Sequence, residues 1–194
     1  LALAEWRRRL HAMPAHLKRQ AARYRAALHP GITRAATRNR LKLLAMACSD
    51  HARRLQALLA PLDADAGQAT PATYAALAPA VASSQGLASY YANVHRDWCW
   101  GESENRAGCK AVVDALGQTR PQRLLVLGAG AGRLAYDLHA ALRPALAVAA
   151  DINPLLLAVA RRLYAGEKLE LYEFPLAPRD LASHALLRTL SAPG

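Results

Sequence analysis

Leu124-Leu125-Val126-Leu127-Gly128-Ala129-Gly130-Ala131-Gly132 is the stretch that decides the fold. Four consecutive apolar residues read as a short strand, buried on both faces as in a parallel sheet. The glycines that follow at every second position read as a tight loop between that strand and a helix. A nucleotide-like cofactor must approach the backbone closely at such a turn. Side chains would obstruct the approach and disfavour the positive φ angles of the loop. The helix that begins at the third glycine offers N–H groups with no partner inside the helix.

Working outward, Gly132 to Leu142 reads as a helix stopped by Arg143-Pro144, and Ala145 to Ala150 as a second strand ending at Asp151. Pro154 to Tyr164 reads as a second helix, with proline in its first turn and Gly166 beyond its end. Lys168 to Phe174 alternates as a third strand, and Asp180 to Leu190 reads as a last helix. This order predicts an α/β layer fold.

The N-terminal part has a different period. Residues 1–60 are rich in Ala, Leu, Arg and Gln and read as helix, broken at His29-Pro30-Gly31. Thr33 is expected to cap a long helix from Arg34 to Ala60, ended by Pro61, and residues 61–71 read as a loop. Residues 72–117 read as further helices with breaks at Pro79 and Gly101. The expected organisation is a helical, basic region over 1–117 and a partial Rossmann-like domain over 118–194.

Composition narrows the function. The chain has 194 residues, 53% of them hydrophobic, which suits a globular protein with a buried core. It has no run of eighteen apolar residues, so no membrane span is expected. Cys48, Cys99 and Cys109 are odd in number and lack the spacing of a zinc site, so no metal and a reducing, cytoplasmic setting are expected. Asp63-x-Asp65-x-Gly67 lacks the later ligands of a calcium loop. The charge is asymmetric: residues 1–60 carry 13 Lys or Arg against two acids, while residues 61–194 carry 12 of each. Such a basic third keeps nucleic acid or an acidic protein in view as a less favoured partner, since aromatic platforms for bases are sparse there.

The glycine spacing selects among cofactors. A dinucleotide fingerprint is GxGxxG, but Arg133 stands where its third glycine belongs, which disfavours a nicotinamide-dependent oxidoreductase. The GxGxG form fits S-adenosylmethionine, which has no pyrophosphate. Asp151, nineteen residues beyond Gly132, ends the second apolar run, where a carboxylate can accept from both ribose hydroxyls. Asp151 or Asn153 is alternatively the cap of the helix opening at Pro154.

Upstream, Tyr90-Tyr91-Ala92-Asn93-Val94-His95-Arg96-Asp97-Trp98-Cys99-Trp100-Gly101 concentrates aromatics. Arg96-Asp97-Trp98, Arg106, Cys109 and Gly128-Ala129-Gly130-Ala131-Gly132-Arg133-Leu134-Ala135 together resemble the carnosine N-methyltransferase family of S-adenosylmethionine-dependent methyltransferases, over roughly residues 85–180. The resemblance implies a helical N-terminal region followed by the first half of a Rossmann-like methyltransferase sheet. It implies that Asn93 and Arg96 reach over the cofactor, with Arg96 toward the methionine carboxylate. Gly128, Ala129, Gly130, Gly132 and Arg133 would form the cradle, Asp151 would hold the ribose, and Trp98 would be structural.

Asn93 and Asp151 stand where the family has Gln and Glu, and Leu127 where it has Pro. The implied reaction is N-methylation of a histidine-containing peptide or related small amine. The family's acceptor-binding residues lie in a second half of the sheet. At roughly 20–30 residues per strand–helix unit, a full sheet of about seven strands needs roughly twice the span from Arg123 onward. A chain that begins at Leu and shows three strands is therefore expected to be an N-terminal part, completed by a missing half or a second chain. No catalytic residue is assigned; His95 and His139 are weak candidates for keeping an acceptor nitrogen unprotonated. The competing expectation is a basic helical binding module with a degenerate nucleotide fold.

Overall fold

A computed structural model describes residues 10–29, 31, 34–66, 70, 72 and 92–193. The cap expected at Thr33, the break at Pro79 and the aromatics Tyr90 and Tyr91 lie outside the described residues. The fold is mixed α/β, with small sheets and a large helical share. The chain divides into two compact units, residues 1–79 with 170–189, and residues 80–169 with 190–194. This division differs from the expected boundary at 117/118: residues 92–117 group with the glycine-loop segment because Trp98 and Arg133 tie them to it.

In the first unit, α1 (Ala12–Ala26) packs along α2 (Ala35–Ala66). Leu17 and Ala21 of α1 and Ala45, Cys48, Ala52, Leu55 and Leu59 of α2 are buried, the stripe that period 3.6 brings to one face. The helix expected to stop at Ala60 runs on to Ala66, with Pro61 inside it. Proline removes one backbone donor and crowds the preceding turn. The buried Leu55, Leu58 and Leu59 clamp that turn, so the loss stays local. Residues 61–66 are thus helix, not loop.

His51 is fully buried, and its Nδ1 accepts from the Tyr172 N–H at 3.1 Å, so Nε2 carries the proton of the neutral ring. Arg54 joins Asp50 at 2.8 Å to Glu170 at 3.0 Å. These bonds fasten α2 to strand β3 (Leu169–Glu173).

Strand β3 pairs with β4 (Leu186–Leu190) in a two-stranded sheet, with Arg188 on Glu173 at 2.8 Å. It does not extend the sheet of the glycine loop. The helix expected over Asp180–Leu190 is corrected to one 3₁₀ turn, Ala182–His184, followed by β4. Asp180 Oδ1 accepts from the Ser183 N–H at 2.8 Å, and Ser183 Oγ accepts from the N–H groups of Arg179 and Asp180. That local network closes a turn, and the pairing with β3 then outweighs the helical spacing of the leucines.

Among the described residues of the second unit, a single α turn, Asn93–His95, continues into a π turn, Arg96–Trp100. After Gly101 comes α3 (Glu102–Leu116), then β1 (Arg123–Leu127), α4 (Arg133–Leu142), β2 (Leu146–Ala150) and α5 (Pro154–Tyr164). Strands β1 and β2 are parallel, with Leu125 opposite Val148 and Leu127 opposite Ala150. The expected burial of both faces is corrected: Leu125, Leu127, Leu146 and Val148 are exposed, and accessibility alternates along β1. Period 2 puts these four side chains on one face. Helix α4 packs on β2, and Leu155, Val159 and Leu163 of α5 are buried.

Candidate cofactor site

The loop after β1 is held by backbone bonds. The Ala129 N–H donates to Ala150 O at 3.0 Å, and the Gly132 N–H to Ala129 O at 2.9 Å. Gly130 has φ 58° and Gly132 φ 89°, the left-handed region that side chains rarely adopt. The two glycines serve different ends. A Cβ at Gly132 would run into Tyr164 Oη and would come within 2.7 Å of Ala160 Cβ, so this glycine lets α4 start against α5. Tyr164 donates its hydroxyl to Gly132 O at 2.5 Å, and burial, with Asp137 behind it, pushes the phenol up to about 12. A Cβ at Gly128 would meet nothing within 4 Å, and one at Gly130 only Asp97 Oδ2 at 3.9 Å. Those two positions face open space.

Asp151 braces this loop from the end of β2. Its Oδ2 accepts from the Gly130 N–H at 2.8 Å and its Oδ1 from the Asn153 N–H at 2.8 Å. The helix cap is Asn153, whose Oδ1 accepts from the Leu155 N–H at 3.1 Å. The two alternatives left open at this turn are thereby separated. Each Asp151 oxygen keeps a second lone pair for a ligand hydroxyl.

The Arg96-Asp97-Trp98 segment is built onto the same loop. The Gly101 N–H reaches back to Arg96 O at 2.7 Å, closing the π turn. Trp98 is buried and donates Nε1–H to Ala131 O at 2.9 Å, which gives it the structural role expected. Arg133 lies 5.4 Å over the Trp98 ring and is 7% exposed. Its guanidinium donates to Asp137 at 2.9 Å, to Glu102 at 2.6 Å and to Asp97 O at 3.1 Å. Burial opposes the charge, but the Asp137 and Glu102 carboxylates outweigh it and raise the pKa. Arg133 is therefore a clamp between α3, α4 and the π turn, with Nε, Nη1 and Nη2 each donating to protein.

A cavity of about 500 Å³ sits over the loop, within the size range of small-molecule sites. Asn93, Arg96, Gly128, Ala129, Gly130, Arg133 and Asp151 all line it. Of the expected residues only Gly132 is absent from its wall, for the packing reason above. Asp97, Asn105 and Ile152 also line it and were not singled out as ligands from sequence. The adjacency of Asp97 to Arg96 was the available signal. Arg96 donates Nε–H at 3.1 Å and Nη2–H at 3.0 Å to Asp97 Oδ1. Neither His95 nor His139 lines the cavity; His95 is buried in the α turn, and His139 is exposed in the last turn of α4.

The donor set fits an adenosyl amino acid. Open glycine backbone, a carboxylate with spare lone pairs, an exposed Ile152 next to it in the chain and an Arg–Asp pair, all lining the cavity, offer polar and apolar surface to its separate parts. No family model matches the chain, and neither a curated protein nor a solved structure matches it.

Proposed function

We propose that the chain binds S-adenosylmethionine in this cavity and serves an N-methyltransferase whose acceptor is a histidine-containing peptide or a related small amine. The observation that carries the reading is the convergence of seven expected cofactor residues around one cavity, with Gly128 and Gly130 leaving space over the loop. In this reading the β1–α4–β2–α5 segment is the first half of a Rossmann-like methyltransferase sheet.

Asp151 would hold the ribose, Ile152 and Leu156 would offer apolar surface to the base, and Arg96 would take the terminal carboxylate. The cofactor supplies an electrophilic methyl group, so the protein's task is alignment and exclusion of water. The acceptor side falls to a second chain or to the remaining half of the enzyme. The bare face of Leu125, Leu127, Leu146 and Val148 supports such a neighbour. In this reading the compartment is cytoplasmic, as the sparse, unclustered Cys48, Cys99 and Cys109 suggest. Among the described residues no helix is long and apolar enough to cross a membrane.

Calorimetry with S-adenosylmethionine, S-adenosylhomocysteine and NAD tests the proposal. Both methyl cofactors are expected to bind and NAD is not. Asp151→Ala should weaken both by about tenfold or more. Failure of the chain to bind either methyl cofactor would sink the reading. A second reading rests on the exposed bases of α1 and α2, among them Lys18, Arg19, Arg23, Arg40 and Lys42. It makes the first unit a nucleic-acid or acidic-protein binder, and a probe shift that collapses steeply with salt would favour it.

A further inference from the structure

Asp97 has a feature that its pairing with Arg96 leaves unexplained. The side chain is 9% exposed, yet both Arg96 donors fall on one oxygen, Oδ1. The other oxygen, Oδ2, looks toward the glycine loop, 3.9 Å from where a Cβ on Gly130 would stand. Among the described residues no group donates to Oδ2. The backbone here is held independently of that side chain: Asp97 O accepts from Asn105 Nδ2 at 2.9 Å and from Arg133 Nη1 at 3.1 Å. The carboxylate is thus a nearly buried acceptor, fixed from behind and half-used, in the wall of the cavity.

We propose that Asp97 Oδ2 receives the α-ammonium of the bound cofactor, so that Arg96 and Asp97 together read a zwitterionic amino-acid end group. The proposal rests on the adenosylmethionine reading above. An α-amino acid carries ammonium and carboxylate on one carbon. A guanidinium and a carboxylate already in contact at 3.0 Å present the opposite signs at a matching spacing. An ammonium brings N–H donors that the spare lone pairs of Oδ2 lack, whereas a sulfonium brings none. Burial raises the Asp97 pKa and Arg96 counters it, which is the state of a carboxylate that gains from a cationic partner.

Calorimetry on the 194-residue chain tests this with three ligands. S-adenosylhomocysteine carries the full amino-acid end, its desamino analogue lacks only the ammonium, and methylthioadenosine lacks both charges. The desamino analogue should bind wild type about tenfold more weakly than S-adenosylhomocysteine. Asp97→Asn should weaken S-adenosylmethionine and S-adenosylhomocysteine by the same factor and leave methylthioadenosine unchanged. Equal affinity of wild type for S-adenosylhomocysteine and its desamino analogue would overturn the proposal, and needs no variant to fold. So would an equal loss of methylthioadenosine in Asp97→Asn, which would make Asp97 a wall support only. A loss confined to S-adenosylmethionine would assign the contact to the sulfonium and also overturn it. If wild type binds none of these ligands, the cofactor reading itself fails.

Discussion

Gly132→Ala separates the structural glycine of the loop from the two that face the cavity. At φ 89° an alanine is strained, at a cost of about 1–3 kcal/mol. Its Cβ would stand 2.7 Å from Ala160 Cβ and collide with Tyr164 Oη, so α4 and α5 must part or the Tyr164 hydroxyl must leave Gly132 O. Overpacking of this kind costs about 1–3 kcal/mol more. The expected destabilisation is therefore about 2–6 kcal/mol, a large fraction of a domain's usual margin. Gly128→Ala is the control. It carries strain from φ 63° but meets nothing within 4 Å, so its stability cost should be the smaller. Its methyl projects into free space over the loop and should cut S-adenosylhomocysteine affinity by about tenfold or more. Urea unfolding followed by fluorescence and by circular dichroism gives the stabilities, and calorimetry the affinities. Gly132→Ala within about 0.5 kcal/mol of wild type, or no more destabilised than Gly128→Ala, would refute the reasoning.

Other perturbations probe the surrounding framework. Arg133→Ala leaves the largely buried Asp137 carboxylate without its partner and should cost about 3 kcal/mol in urea unfolding; a cost below about 1 kcal/mol would contradict the clamp. Leu163→Ala, at a fully buried site on α5, should cost about 2–5 kcal/mol, whereas Leu127→Ala, at 75% exposure on the bare sheet face, should cost under about 0.5 kcal/mol. Equal costs would show that the face is covered in solution. The hydrogen bond from Arg54, aided by Arg53, holds the Asp50 carboxyl below its usual range. Its folded value lies below its unfolded one, so the unfolded chain binds more protons. The contribution is complete above about pH 4 and is lost as pH falls through the folded value. The stability gap between wild type and Asp50→Asn should accordingly shrink from pH 5 to pH 2, and a gap that widens would refute the pairing.

The order β1–α4–β2–α5 was legible in residues 123–164 because each element there carries its own signals. Leu124–Leu127 is an apolar run of strand length, the glycines punctuate it, and Pro154 opens and Gly166 follows the last helix. The cavity wall was equally legible where it is backbone, at Gly128 to Gly130, or stands at the end of an element, at Asp151. Local sequence determined these features because turn chemistry and period act over a few residues.

Other features were decided only by tertiary structure. Asp180–Leu190 has helical spacing, yet it forms a turn and a strand because β3 offers a ladder to pair with. Pro61 did not end α2 because the buried leucines before it hold the turn. Arg133, expected in the cofactor cradle, lines the cavity and also donates to Asp137, Glu102 and Asp97 O, partners up to 36 residues away. Asp151 was foreseen as a site residue, but its hold on the Gly130 N–H appears only when β2 lies parallel to β1. The glycine loop could be read from sequence alone, since its constraint is the φ of its own residues. The charges around it could not, since a hydrogen bond between distant residues depends on where the folded chain brings them.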